Sequence, residues 1–163
     1  MVLVQVTKKF KGVAASAGKL EQLVKTICRR FGLSKAAISI AIVDDAQMRK
    51  LNRQFLGRDS NTDCLSFDLS EGDGRRWSSS ASFELIVNGE LAVKEALLRG
   101  HCTEAELALY ITHSMLHNVG FDDSTQEQAK KMHDVEDEIL RQFGYGVVYD
   151  KKVRIQKCKS TKA

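Results

Sequence analysis

Residues 37–43, AISIAIV, are apolar and largely β-branched, which is the composition of a buried strand, and the apolar residues on both sides of them recur at helical spacing. Upstream, VLVQV alternates apart from Leu3 and reads as a first strand. From Lys19 to Phe31 the residues Leu20, Leu23, Val24, Ile27 and Phe31 fall on one helical face, and Gly32 supplies the stop. Downstream, Asp44 or Asp45 can cap a helix through Phe55, with Met48, Leu51 and Phe55 inward and Gly57 at its end. RDSNTD then reads as a turn. CLSFDL follows with strict alternation, Leu65, Phe67 and Leu69 on one side and Cys64, Ser66 and Asp68 on the other.

The second half continues the switching of period. EGDGRRWSSSAS, residues 71–82, reads as a flexible Gly/Ser loop within the domain. FELIVNGELAV offers two strand-like runs around Asn88 and Gly89, a dipeptide that favours a type I′ hairpin; LAVKEALL carries a helical pattern as well. Thr103 with Glu106 forms a capping box ahead of the stripe Leu107, Tyr110, Ile111 and Met115, predicting a helix that reaches His117 or slightly beyond. A second box, Ser124 with Glu127, opens a helix with inner face Met132, Val135, Ile139, Leu140 and Phe143, stopped by Gly144. The order βαβαβ, a hairpin-like piece, then αα predicts an α+β domain whose strands form a single sheet.

At 163 residues, 43% hydrophobic and 28% charged, the chain suits one globular domain, and no apolar run approaches the about 20 residues of a membrane span. MVLVQV meets Lys8, Lys9 and Lys11 before a signal-peptide core can form, so a cytoplasmic location is expected. Cys28, Cys64, Cys102 and Cys158 are scattered without a CxxC pair and read as free thiols with no disulfide partner. Six of the 25 basic residues and only one of the 21 acidic ones lie in residues 150–163. Residues 1–149 are therefore expected to form a nearly neutral domain, and 150–163 a flexible basic tail able to attract phosphate.

The chemistry is concentrated in HSMLHNVGFDD, residues 113–123. Positions four apart lie one helical turn apart, so His113 and His117 can aim at one point. Gly120 can end the helix in a left-handed conformation and fold the chain back, bringing Asp122 or Asp123 to the histidine pair. Two histidines and one carboxylate are the kind of set that holds zinc with a position open. Ser114 stands where the HExxH zinc peptidases keep a glutamate base, which argues against peptide hydrolysis. His101, in a turn, and His133, on the outer part of the last helix, read as solvent-facing.

The same string resembles the signature HGxLHxxGxDH of the YbeY family of bacterial endoribonucleases and rRNA maturation factors. LNRQFLGRDSNTDCLSF, residues 51–67, is similar to the family's LNxxYRGKDxPTDVLSF; NGELAV, 88–93, is similar to its GDIVI strand; and MHDVEDEIL, 132–140, occupies the place of its acidic helix. The resemblance implies a single mixed β-sheet flanked by helices, related to zincin-like folds, with the metal motif on a helix of the C-terminal half. It assigns metal ligation to His113 and His117 and puts Asp123 where the family has a third histidine. A carboxylate is a competent zinc ligand there, and its hardness broadens the choice toward manganese or iron. Asp122 matches the aspartate beside that ligand, as a support for it or an alternative to it.

The resemblance also implies zinc, or another divalent metal, as cofactor and RNA, from ribosomal RNA or a ribosomal subunit, as partner. The family's arginine after the aromatic of its upstream motif is Leu56 here, which leaves Arg53 and Arg58 as the residues that can reach a phosphate; the family's proline is Asn61. No catalytic side chain beyond the ligands is assigned. The activity implied is metal-dependent endoribonucleolytic cleavage in rRNA maturation. Two other readings stand beside it: a non-catalytic ribosome- or RNA-binding factor, and a metallohydrolase with another substrate. Trp77, in the Gly/Ser loop, can stack on a base.

Overall fold

The computed structural model describes residues 1–71 and 80–146. The expectations for Trp77, for most of the 71–82 loop and for the basic tail with Cys158 fall outside those residues. β1 (Val2–Lys8), α1 (Ala17–Arg30), β2 (Ala36–Val43), α2 (Asp45–Leu56), β3 (Cys64–Asp68), β4 (Ala81–Asn88), α3 (Gly89–Arg99), α4 (Thr103–Asn118) and α5 (Gln126–Gln142) follow in order. The four strands form one sheet in the order β1-β2-β4-β3; β1, β2 and β4 are parallel, and β3 runs antiparallel to β4 at the edge. This is the α+β class with a single mixed sheet. No helix among the described residues is long and apolar enough to cross a membrane.

Strand alternation divides the apolar residues between two layers of unequal size. Ile38, Ile40 and Ile42 of β2 and Phe83, Leu85 and Val87 of β4 face the larger layer, where α1, α4 and α5 contribute Leu23, Ile27, Leu107, Ile111, Met115, Met132 and Ile139. On the opposite face Val43, Leu65 and Ile86 meet Met48 of α2 in a smaller cluster. That layer is thin: Phe55, read as inward from its spacing, is 54% exposed and rests edge-on against Phe67, while Leu69, beyond the end of β3, is 57% exposed. The single helix on this face is too short to cover the sheet, so the last apolar residues of both elements face solvent.

The expected hairpin at Asn88 and Gly89 is a strand-to-helix junction instead. Asn88 caps α3, its Oδ1 accepting from the Leu91 N–H at 3.0 Å. Gly89 serves close packing rather than a left-handed turn, since a Cβ there would lie 2.7 Å from Ile42 Cγ2 and 2.8 Å from Val13 Cγ2. β4 finds its antiparallel partner in β3, which precedes it, so no strand is needed after Asn88. Neither capping box has the expected form. Cys102 is the N-cap of α4, with no capping hydrogen bond from its side chain, and Thr125, not Ser124, caps α5 by accepting from the Gln128 N–H at 3.2 Å.

Candidate metal centre

α4 is the central helix of the larger layer, buried along most of its length from Ala105 to Leu116. Its last turn emerges at the rim, where the side chains of His113 and His117 are 22% and 35% exposed. The helix ends as the HNVG sequence suggests: Gly120 has φ 107°, and the Phe121 N–H donates back to the Leu116 carbonyl at 2.9 Å. Phe121 then anchors the returning chain edge-on against Phe31, the C-cap of α1, 5.7 Å between ring centres. Asp122 closes a small polar turn, its Oδ1 accepting from the Asp123 N–H at 2.8 Å and its Oδ2 from the Ser124 hydroxyl at 2.9 Å. Those two donors hold its carboxyl below the ordinary carboxylate range. Asp122 thus shapes the turn, and Asp123 is the residue that faces the histidines.

The Nε2 atoms of His113 and His117 lie 3.1 Å apart, and the Asp123 carboxylate oxygens approach each of them to 3.7 Å. One ligand atom from each of the three residues falls within 4.8 Å of the other two. Donors about 2 Å from a shared tetrahedral centre stand about 3.3 Å apart, so these separations suit a single ion. The other nitrogens support the same orientation. His117 Nδ1 is 3.1 Å from the Phe121 carbonyl, and His113 Nδ1 is 2.6 Å from Oε1 of Glu136. A neutral imidazole has one N–H; with both N–H groups directed to these acceptors, both Nε2 lone pairs point inward beside a carboxylate. Such a donor set is repulsive unless a cation or a proton lies within it, and the residues present therefore fit a divalent metal. Burial of the His113 ring opposes its protonation, but the bond and charge of Glu136, with the charges of Asp63 and Asp123, leave its pKa raised.

Several residues lie elsewhere than their spacing suggested. The His101 side chain is fully buried, its Nε2 2.5 Å from Glu106 Oε1. His133 is half-buried and bonds Glu136 Oε2 at 2.9 Å. Both were expected in solvent, and in each case a buried glutamate draws the ring inward. Arg53 pairs with Asp59 at 2.6 Å on the surface, and Arg58 is exposed just past Gly57. Leu56, at the family's arginine position, is 52% exposed. Ser114 is buried beside the Cys64 thiol and faces β3 instead of the histidine cluster. Cys28 and Cys64 are free thiols, and burial pushes that of Cys28 up to about 11.

Spacing alone missed Glu136. It occupies a core position, four after Met132 and three before Ile139, both fully buried. An acid inside an apolar stripe was the available signal, because a buried carboxylate has to be matched by donors.

A model of the family described as endoribonuclease YbeY matches residues 5–144. The chain belongs to the YbeY family. A YbeY of Thermoanaerobacter sp. (strain X514), named an endoribonuclease, is 30% identical over 138 residues, covering 78% of this chain and 87% of that protein. Another from Wolinella succinogenes is 36% identical over 112 residues, covering 69% and 75%. A protein of Thermotoga maritima, solved in solution, aligns with a TM-score of 0.59 at 23% identity over 88% of this chain and 89% of that one, a likeness of fold. The YbeY match spans both the LNRQFLGRDSNTDCLSF segment and the histidine motif, so the two resemblances noted in the sequence belong to one frame.

Proposed function

We propose that this chain is a metal-dependent endoribonuclease acting in ribosomal RNA maturation in the cytoplasm, with His113, His117 and Asp123 as the ligands of one zinc ion. The convergence of those three residues within a YbeY frame is the observation that carries the reading. Zinc is favoured among divalent metals by two imidazole nitrogens and one carboxylate at tetrahedral separations; manganese and iron are the alternatives the carboxylate allows.

When bound, the ion supplies Lewis acidity to a phosphodiester group or to a water at its open position. The side chains around it supply position. The Phe121 carbonyl and Glu136 fix the two imidazoles, and the Asp122 turn presents Asp123. Buried Ser114 offers no base at the position used by the peptidases, which favours a phosphodiester substrate over a peptide bond. Arg58, exposed after Gly57, and Arg53, in its surface pair with Asp59, are the proposed phosphate contacts in place of the arginine replaced by Leu56. In this reading residues 1–149 form the domain, and the basic tail, 150–163, adds salt-sensitive attraction to RNA.

The test is cleavage of ribosomal RNA fragments by the purified chain, metal-stripped and then resupplied with zinc or manganese, beside His117→Ala. Cleavage that disappears on stripping, returns with metal and is absent from His117→Ala supports the reading. RNA left uncut by the metal-loaded parent contradicts it.

A further inference from the structure

Glu136 is fully buried, yet both of its carboxylate oxygens have imidazole partners from different directions. Oε1 is 2.6 Å from His113 Nδ1 of α4, and Oε2 is 2.9 Å from His133 Nδ1, one turn back on its own helix. An ionised carboxylate only accepts hydrogen bonds, so both rings donate from Nδ1. For His113 the consequence reaches the cluster: with the proton on Nδ1, the Nε2 lone pair faces His117 Nε2 at 3.1 Å and Asp123 at 3.7 Å. The opposite tautomer would turn an N–H into the space a cation occupies.

We propose that Glu136 is a positioning residue that sets the tautomer of His113 for a divalent cation, and that His133 locks Glu136 in place from its second oxygen. The inference rests on the proposed metal site and extends it to two residues of α5. Two bonds fix the carboxylate plane, as one could not, so Glu136 can neither rotate away from His113 nor swing out to ligate the ion. Its buried negative charge also makes the His113 ring a stronger donor to the metal. His133 and Glu136 are one turn apart, so α5 carries this support as a unit packed through Met132, Ile139 and Leu140. Metal affinity is thereby tied to the docking of the last helix.

The full chain and its Glu136→Gln, Glu136→Met and His133→Ala variants decide the matter through two measurements. Long-range proton–nitrogen spectra of the metal-free proteins read the His113 tautomer directly. Competition against a coloured chelator reads zinc and manganese affinity. The parent is expected to hold His113 with its proton on Nδ1. Glu136→Gln keeps an acceptor oxygen, so it retains that tautomer and loses about 10-fold in affinity, whereas Glu136→Met mixes the tautomers and loses about 100-fold. His133→Ala falls between the parent and Glu136→Gln in affinity. A mere packing role for Glu136 would leave the spectra of a folded variant unchanged; unchanged spectra and affinity in Glu136→Met overturn the proposal. Should Glu136→Met fail to fold, parental affinity in Glu136→Gln overturns it. A parent that takes up neither metal defeats the metal reading, and the spectra of the metal-free proteins still decide whether Glu136 sets the tautomer.

Discussion

Asn88 Nδ2 lies 2.8 Å from Asp45 Oδ1, tying the end of β4 to the first turn of α2. The same amide is 3.0 Å from Asn61 Oδ1 and 3.2 Å from the Thr62 carbonyl, and the Asn88 N–H donates to the Asp63 carbonyl at 2.8 Å. One buried residue therefore joins two helix starts and the turn that leads into edge strand β3. The charge of Asp63, from that turn, is among those that raise the His113 pKa.

Replacing Asn88 with alanine removes the α3 cap and takes this donor from Asp45 and Thr62, both half-buried, and from exposed Asn61. A loss of about 3 kcal/mol is expected. Urea unfolding of Asn88→Ala checks it: the midpoint should fall with the slope unchanged.

Asp45 gives the same junction an acid sensitivity. Partial burial raises its pKa, but bonds from Lys94, Asn61 and Asn88 outweigh this and hold it below the usual carboxylate value of 3.8. A carboxyl lowered in the folded state contributes stability that is complete above the ordinary carboxylate range and is lost as pH falls through the folded value. Melting temperatures of the parent and Asp45→Asn are therefore expected to differ most at pH 5–7 and to converge below about pH 4. A constant difference across that range would contradict the assignment.

Glu106, on α4, is the other buried acid beside Glu136 among the described residues, held by His101 and by Arg99 Nη1 at 3.4 Å. Glu106→Ala leaves the His101 ring buried without its partner and is expected to cost about 3–5 kcal/mol. Glu106→Gln keeps one acceptor and should cost less. Chemical denaturation of both variants gives the comparison, and equal effects would mean that the packing of the side chain, rather than its bond to His101, matters.

The alternating and helical runs made the elements legible from residues 2 to 43 and across α2, α4 and α5, because each carries a stripe with one period. Asn88 and Gly89 misled for a physical reason: the pair that suits a two-residue hairpin also suits a helix cap followed by a close backbone contact. Only the tertiary neighbours Ile42 and Val13 distinguish the two. At the candidate centre, His113 and His117 were legible from spacing, while the choice between Asp122 and Asp123 needed the family frame and is consistent with the turn geometry. For Glu136 the acid inside the apolar stripe signals burial but not what it binds. Of its two partners, His113 lies 23 residues away on another helix, and a stripe-based reading assigns charges to solvent.

Asp123 is the residue proposed to complete a cation site with the two histidines. Elemental analysis of protein purified without a histidine-rich tag, beside Asp123→Ala and His117→Ala, tests this directly. About one zinc per chain in the parent and its loss from both variants is the predicted result. A parent without metal even after zinc is supplied, or Asp123→Ala with the parent's full content, would contradict it.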